Sequence, residues 1–129
     1  MGEITTDDLK RFAELIGWKT VTYSGVYDII TPDGRLSLNG LPNFLAPESL
    51  HLVFDGLERW CAKNNCRYEI SLVDDPVGCG IAGLHRNVML IPRDNRWEDF
   101  PEACNVLLNA AIVKAILNAA ILASSQEGK

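Results

Sequence analysis

The hydrophobic residues of the chain are most concentrated in its C-terminal part, which is apolar on nearly every side. Its only polar residues between positions 106 and 123 are Asn109, Lys114 and Asn118. We predict one long helix over 99–123, because Asp99 and Glu102 have the spacing of a capping box and Pro101 suits a first helical turn. A polar stripe this narrow indicates a helix buried in a core, against another protein or in a membrane.

Two further segments repeat apolar residues at helical spacing. The first has Leu9, Phe12, Ala13 and Ile16, with Thr6 as the expected N-cap and Gly17 as the expected end. The second helix is predicted over 47–64, opening with Pro47. Its apolar stripe consists of Leu50, Val53, Phe54, Leu57, Trp60 and Cys61. Both helices therefore have one face to bury against a sheet.

Strands are predicted between these helices. Residues 19–38 are rich in β-branched and aromatic side chains and contain two turn signals, Ser24-Gly25 and Pro32-Asp33-Gly34. We expect 27–31 to pair with 35–38. Residues 67–73 alternate between apolar and polar side chains, which is typical of a half-buried strand.

The region from 79 to 91 has two interpretations. Residues 79–84 and 88–91 are typical of strand, but two glycines and the sequence His85-Arg86-Asn87 interrupt them. One bulged strand and a short hairpin both fit this pattern. In either case Pro92 is expected to end the strand.

Together these elements predict an α+β protein. Short links between consecutive strands favour antiparallel pairing. We expect a three-layer-like sandwich in which about three helices cover a mostly antiparallel sheet of four to five strands. Residues 1–123 would form a single domain and 124–129 a polar C-terminal tail.

Composition and charge limit the range of possible functions. A chain of 129 residues can bury a core without a metal or disulfides. A net charge of −5 argues against nucleic-acid binding as the main role, because that role needs clustered Lys and Arg. The N-terminal residues lack the pattern of a secretory signal, so we expect a cytoplasmic protein with reduced cysteines.

Several short motifs follow one another in an order typical of a known family. They are the helix end at Gly17-Trp18, the Leu41-Pro42-x-Phe44 loop, Leu57-Glu58 in the next helix, the Asp74-Asp75-Pro76 turn and the Pro101-Glu102-Ala103-Cys104 segment. In this order the chain resembles, over about 9–122, the phage ABA sandwich domain, small α/β/α proteins of bacteriophages and prophages. The resemblance implies a sandwich fold and a bacterial host cell. It implies no activity, and therefore no catalytic residues.

One polar cluster suggests a ligand site. It consists of Arg86, Arg93, Arg96 and Trp97. Three guanidinium groups and an indole near a helix N-terminus could hold a phosphate through charge and stacking. The alternative is a solvated loop, because Glu98, Asp99 and Glu102 would repel an anion at the same place.

Cysteine and histidine allow two other kinds of site. Zinc could be held by members of the set Cys61, Cys66, Cys79, His51 and His85. None of these residues forms the closely spaced pairs that structural zinc sites use, so we expect no metal and no cofactor. A thiol enzyme could use Cys79, which has glycine on both sides, with His85 as its base, but no oxyanion hole is evident.

The surplus apolar surface of the last helix suggests a second copy of the chain. Ala111, Ala115 and Ala119 recur at four-residue spacing, and Leu122 extends the row. Lys114, near the middle of the helix, argues against a membrane span. We therefore expect a homo-oligomer, most simply a two-fold dimer, with this row as its interface.

These observations favour a binding protein over an enzyme. The first hypothesis is a non-enzymatic phage or prophage protein in the host cytoplasm that binds a partner and could sequester or inhibit a component of host defence. The second is a binding module for a nucleotide or other small phosphorylated ligand, using the 85–97 segment. The third is the thiol-dependent enzyme.

Overall fold

The described residues of the chain fold into three α-helices and two antiparallel sheets, which confirms the α+β class. In the computed structural model the described residues are 4–37, 40–74, 84–94, 97, 99–105 and 107–127. The elements are α1 (Thr6–Leu15), β1 (Lys19–Tyr23), β2 (Val26–Ile30), β3 (Leu36–Ser37), a 3-10 turn (Pro47–Ser49), α2 (Leu50–Lys63), β4 (Cys66–Asp74), β5 (Leu84–Pro92), β6 (Glu102–Asn105) and α3 (Leu108–Glu127).

The first helix is closed at both ends by local hydrogen bonds. Thr5, one residue before the expected cap, is the N-cap and forms a capping box with Asp8. Gly17 ends the helix as predicted, with a φ of +105°. Its N–H donates to the carbonyl of Glu14 while that of Trp18 donates to Ala13, the bond pattern of a Schellman motif.

The first sheet has the strand order β1-β2-β3. Ser24 and Gly25 both have positive φ, as a tight two-residue hairpin requires. The predicted pairing of 27–31 with 35–38 is confirmed at Ile29 with Ser37 and at Ile30 with Leu36. Residue 38 lies outside the described part of the chain.

The second sheet has the order β4-β5-β6, so the strands form two sheets of three rather than one sheet of four to five. β4 and β5 pair along nine residues, from Cys66 opposite Pro92 to Asp74 opposite Leu84. The 84–92 segment is thus one strand ending at Pro92, and residues 79–83 lie outside the described part. Sequence patterns show which segments are strands, but they do not show which strands share a sheet.

The predicted start of the last helix is wrong. Residues 102–105 form β6, which pairs with β5 from Met89 opposite Glu102 to Arg86 opposite Asn105. The carbonyl of Pro101 also accepts a hydrogen bond from the N–H of Leu90. These long-range backbone bonds outweigh the local capping signals, and α3 begins only at Leu108. It continues to Glu127, so most of the expected tail is helical.

The core lies between the helices and one face of the second sheet. Along β4 and β5, Cys66, Val88 and Leu90 belong to the buried core, and they share one face because side chains alternate along a strand. α3 runs through the centre and packs on β5, β6, α1 and α2. In the described part of the chain, no helix has the length and hydropathy needed to cross a membrane.

An aromatic cluster joins the first sheet to this core. The ring of Phe44 is fully buried, and it packs edge-to-face on Phe12 of α1 and on Trp18. The side-chain amide of Asn109 in α3 donates hydrogen bonds to the carbonyls of Phe44 and Ala46, at 3.0 and 2.9 Å. The loop before α2 is thereby fixed to the central helix.

Candidate ligand-binding clefts

The structure separates the predicted arginine site. Arg86 lies early in β5, and Arg93 follows directly after the strand ends. Both are exposed. The six residue steps from Arg86 to Pro92 alone span roughly 20 Å along the extended backbone. Arginine side chains that start this far apart along one strand do not meet at a single phosphate group.

The aromatic member of that site is also not available to a ligand. Trp97 is only 5% exposed and belongs to the hydrophobic core, so its ring faces the protein interior. Arg96 lies outside the described residues. Of the predicted cluster, the structure therefore places Arg86 and Arg93 far apart along the direction of β5 and buries the indole of Trp97.

The alanine row of α3 is occupied by the chain's own core. Ala111, Ala115 and Ala119 are completely buried within a single copy, and Leu122 is partly buried at the core edge. The prediction that this row is a subunit interface is wrong for its three alanines. Intrachain packing already covers them.

The sulfur and imidazole groups are distributed differently from the proposed sites. Cys79 lies outside the described residues, and its suggested base, His85, is buried. Cys61 and Cys66 are both buried, at the end of α2 and the start of β4. Within the ranges the structure describes, no three His, Cys, Asp or Glu side chains are grouped as metal ligands would be.

A cleft of about 460 Å³ lies between α1 and the first sheet. We call it the α1–β1 cleft. Its lining residues are Lys10, Ala13, Glu14, Trp18, Lys19, Thr20, Thr22, Ile29, Gly40 and Leu41. The volume is in the range of pockets that hold small molecules.

The lining of this cleft divides into an apolar floor and a polar rim. Ala13, Trp18 and Ile29 are buried and form the floor. Thr20 and Thr22 follow Trp18 on the same face of β1, because alternate strand residues share a face. Thr20 lies opposite Ile29 in the register of β1 and β2. The cleft therefore offers hydroxyl groups next to apolar surface.

Charged side chains surround the mouth of the cleft. Lys10 and Glu14 lie one turn apart on the exposed side of α1, and Lys19 begins β1. The residues that line the cleft thus include two lysines and one glutamate, on a chain with a net charge of −5. An anionic group on a ligand would be attracted to this rim.

The sequence contains a signal for this cleft, although none of the predicted sites includes it. Thr20 and Thr22 interrupt the apolar pattern on the strand face that begins with Trp18. The polar side of α1 carries Lys10 and Glu14 at the spacing of one helical turn. Only the folded chain shows that these two patterns face each other.

A second cleft, of about 290 Å³, lies at the junction of α2 and β4. Its lining includes Cys61, Cys66, Tyr68 and Arg93. Burial, together with the neighbouring Cys66, raises the pKa of Cys61 to about 12. The Cys66 thiol donates a hydrogen bond to the carbonyl of Asn64 at 3.4 Å. A buried thiol with so high a pKa is a poor nucleophile at neutral pH.

The two clefts differ in chemical character. The α1–β1 cleft contains cations, hydroxyls and an indole, whereas the thiol at the second cleft is held protonated. No protein family model, no characterised protein and no solved structure shows significant similarity to this chain.

Proposed function

We propose that the protein is a non-catalytic binding protein and that the α1–β1 cleft is its ligand site. The observation that carries this proposal is the lining of that cleft, an apolar floor at Trp18 and Ile29 beneath a rim bearing Lys10 and Lys19. Pockets that bind small molecules typically combine a mostly apolar lining with a few polar groups that fix orientation.

The lining favours a small anion with a flat apolar part. A phosphate or carboxylate group would contact the ammonium groups of Lys10 and Lys19, while the threonine hydroxyls offer both donors and acceptors. The flat part of the ligand would rest against the indole of Trp18. This ligand class includes the phosphorylated compounds first considered for the 85–97 segment, but at a different place.

We also propose a phage or prophage origin, which the order of short motifs supports. In that setting a cytoplasmic binding protein without chemistry would act by sequestering its ligand and thereby inhibiting a component of host defence. The binding proposal depends on the cleft alone and holds whatever the origin of the chain.

The experiment is a thermal-shift screen followed by titration calorimetry. The panel consists of inorganic phosphate, nucleoside mono- and diphosphates, sugar phosphates and aromatic carboxylates. For any compound that raises the melting temperature, we expect Lys19→Ala and Lys10→Ala each to weaken binding about tenfold. Loss of one charge-assisted contact costs roughly 1.5–3 kcal/mol, and 1.4 kcal/mol corresponds to tenfold.

Matched variants locate the site. Lys63→Ala removes an exposed lysine at the end of α2, away from the cleft, and should leave binding unchanged. Arg93→Ala tests the predicted arginine segment in the same way. A panel without any binder, or binding that depends on Arg93 and not on Lys19, would contradict the proposal.

A further inference from the structure

The second sheet has a long edge strand. β4 pairs with β5 over all nine of its residues, and no other strand in the described ranges pairs with its outer side. The N–H and C=O groups along such an edge favour pairing with another strand. Natural proteins usually protect long edges with charges, proline or a covering segment.

The edge of β4 carries exposed apolar side chains. Tyr68, Ile70 and Leu72 share the face on which α2 packs, and the ring of Phe54 packs against Tyr68. Beyond that contact the covering ends, so Ile70 is 36% exposed and Leu72 is 62% exposed. Apolar surface beside an open strand edge is typical of a protein interface.

The opposite face of β4 carries one pair of opposite charges. Arg67 and Glu69 form an exposed ion pair at 2.9 Å, two residues apart along the strand. A two-fold axis perpendicular to the strand at Tyr68 would exchange the positions of these two residues. In an antiparallel pair of β4 strands, each arginine would then lie directly opposite the partner's glutamate.

We propose that the β4 edge is a homodimer interface in which two copies pair antiparallel about an axis at Tyr68. Residues 66–70 of the two chains form the ladder and join two three-stranded sheets into one of six strands. Arg67 faces the partner's Glu69 twice, so the four charges alternate in sign across the interface. Such an isologous contact is closed and produces a dimer, not a filament.

The same register gives Leu72 a place to pack. Two residues beyond the ladder, Leu72 reaches the turn where the partner's α2 meets its β4, which is where the second cleft lies. Ala62, Cys66 and Tyr68 line that cleft together with polar residues such as Glu58 and Arg93. Each copy thus places Leu72, which is 62% exposed in the single chain, against a cleft of the other copy.

A charge swap tests the register. The dimer dissociation constant is measured by sedimentation equilibrium for wild type, Arg67→Glu, Glu69→Arg and the double variant Arg67→Glu/Glu69→Arg. Each single variant turns two attractive cross-strand pairs into repulsive ones, so we expect about a tenfold or greater rise in the dissociation constant. The double variant restores opposite charges and should return to within about threefold of wild type.

An apolar pair of variants tests the surface itself. Leu72→Lys should weaken the dimer at least tenfold, whereas Leu36→Lys, at a residue 50% exposed on the other sheet, should leave it unchanged. Melting temperatures of all variants at high dilution show that each monomer remains folded. A strictly monomeric wild type at 100 μM, or a dimer indifferent to Leu72→Lys and to both charge reversals, would overturn the proposal. Neither result bears on the proposal that the α1–β1 cleft binds a ligand.

Discussion

Asn109 is the polar residue on which the interior of the protein depends most directly. It is buried in the first turns of α3, and its amide nitrogen donates to two backbone carbonyls of the loop before α2. One of these carbonyls belongs to Phe44, whose ring packs on Phe12 and Trp18. Replacing Asn109 with alanine removes both donors, so the carbonyl of Phe44 loses this hydrogen bond, whereas the carbonyl of Ala46 still accepts one from the N–H of Ser49.

The expected cost follows from these two bonds. Each intramolecular hydrogen bond contributes about 1 kcal/mol net, and a buried acceptor left unsatisfied costs about 1–3 kcal/mol. We expect Asn109→Ala to lower the free energy of unfolding by about 2–3 kcal/mol. For a chain of this length that corresponds to a melting temperature roughly 6–12 °C lower.

Asn118 provides a matched control on the same helix. Its side-chain amide also donates to a backbone carbonyl, that of Glu102 at 3.2 Å, but it is exposed to solvent. Water can replace its partner, so Asn118→Ala should cost less than about 1 kcal/mol. Asn109 is buried and donates two hydrogen bonds, whereas Asn118 is exposed and donates one, so the difference between the two variants measures the combined effect of burial and of the second bond. Equal urea denaturation midpoints for the two variants would refute the reasoning.

Two other variants test packing and ionisation. Gly56→Ala should destabilise the protein by about 1–3 kcal/mol, because the new Cβ would lie 2.5 Å from Cδ1 of Ile16. In the double variant Gly56→Ala/Ile16→Ala, the loss of unfolding free energy should be well below the sum of the losses in the two single variants. If the losses measured by urea unfolding are strictly additive, the new Cβ and Ile16 are not in contact. The pKa of Cys61 is raised from 9.0 to about 12, so the unfolded chain loses its proton first. Between pH 9 and 12 wild type should therefore lose stability faster than Cys61→Ala, by up to about 1.4 kcal/mol per pH unit, and parallel pH profiles would contradict the assigned burial.

Local sequence signals were sufficient to predict a structural feature wherever that feature depends only on residues close to it in the sequence. The end of α1 at Gly17 and the hairpin at Ser24-Gly25 depend on backbone angles that few residues other than glycine adopt readily. The Asp55–Arg59 ion pair of α2, at 2.6 Å, follows from helical spacing alone. The structure adds a second partner for Arg59, Asp33 in the turn between β2 and β3, which no local pattern indicates.

The errors occur where distant segments decide the outcome. Residues 99–107 carry helix-start signals, yet 102–105 pair with β5 instead, because completing the second sheet provides backbone partners that a helix there would not. Two arginines of the predicted ligand site are separated for a similar reason. Arg86 and Arg93 are close in sequence, but an extended strand places residues much farther apart than a loop or helix would.

The apolar surface of α3 shows why a sequence cannot distinguish a central helix from an interface helix. A central helix and an interface helix both carry hydrophobic residues on every side. The sequence pattern depends on whether a face is shielded from water, and it does not depend on whether the same chain or another chain covers that face. Here α1, α2, β5 and β6 surround the helix, so its alanines are covered within one chain. Its two asparagines, expected to be a residual polar stripe, donate instead to backbone carbonyls of the 44–46 loop and of β6. The helix is therefore the element on which the rest of the domain is assembled.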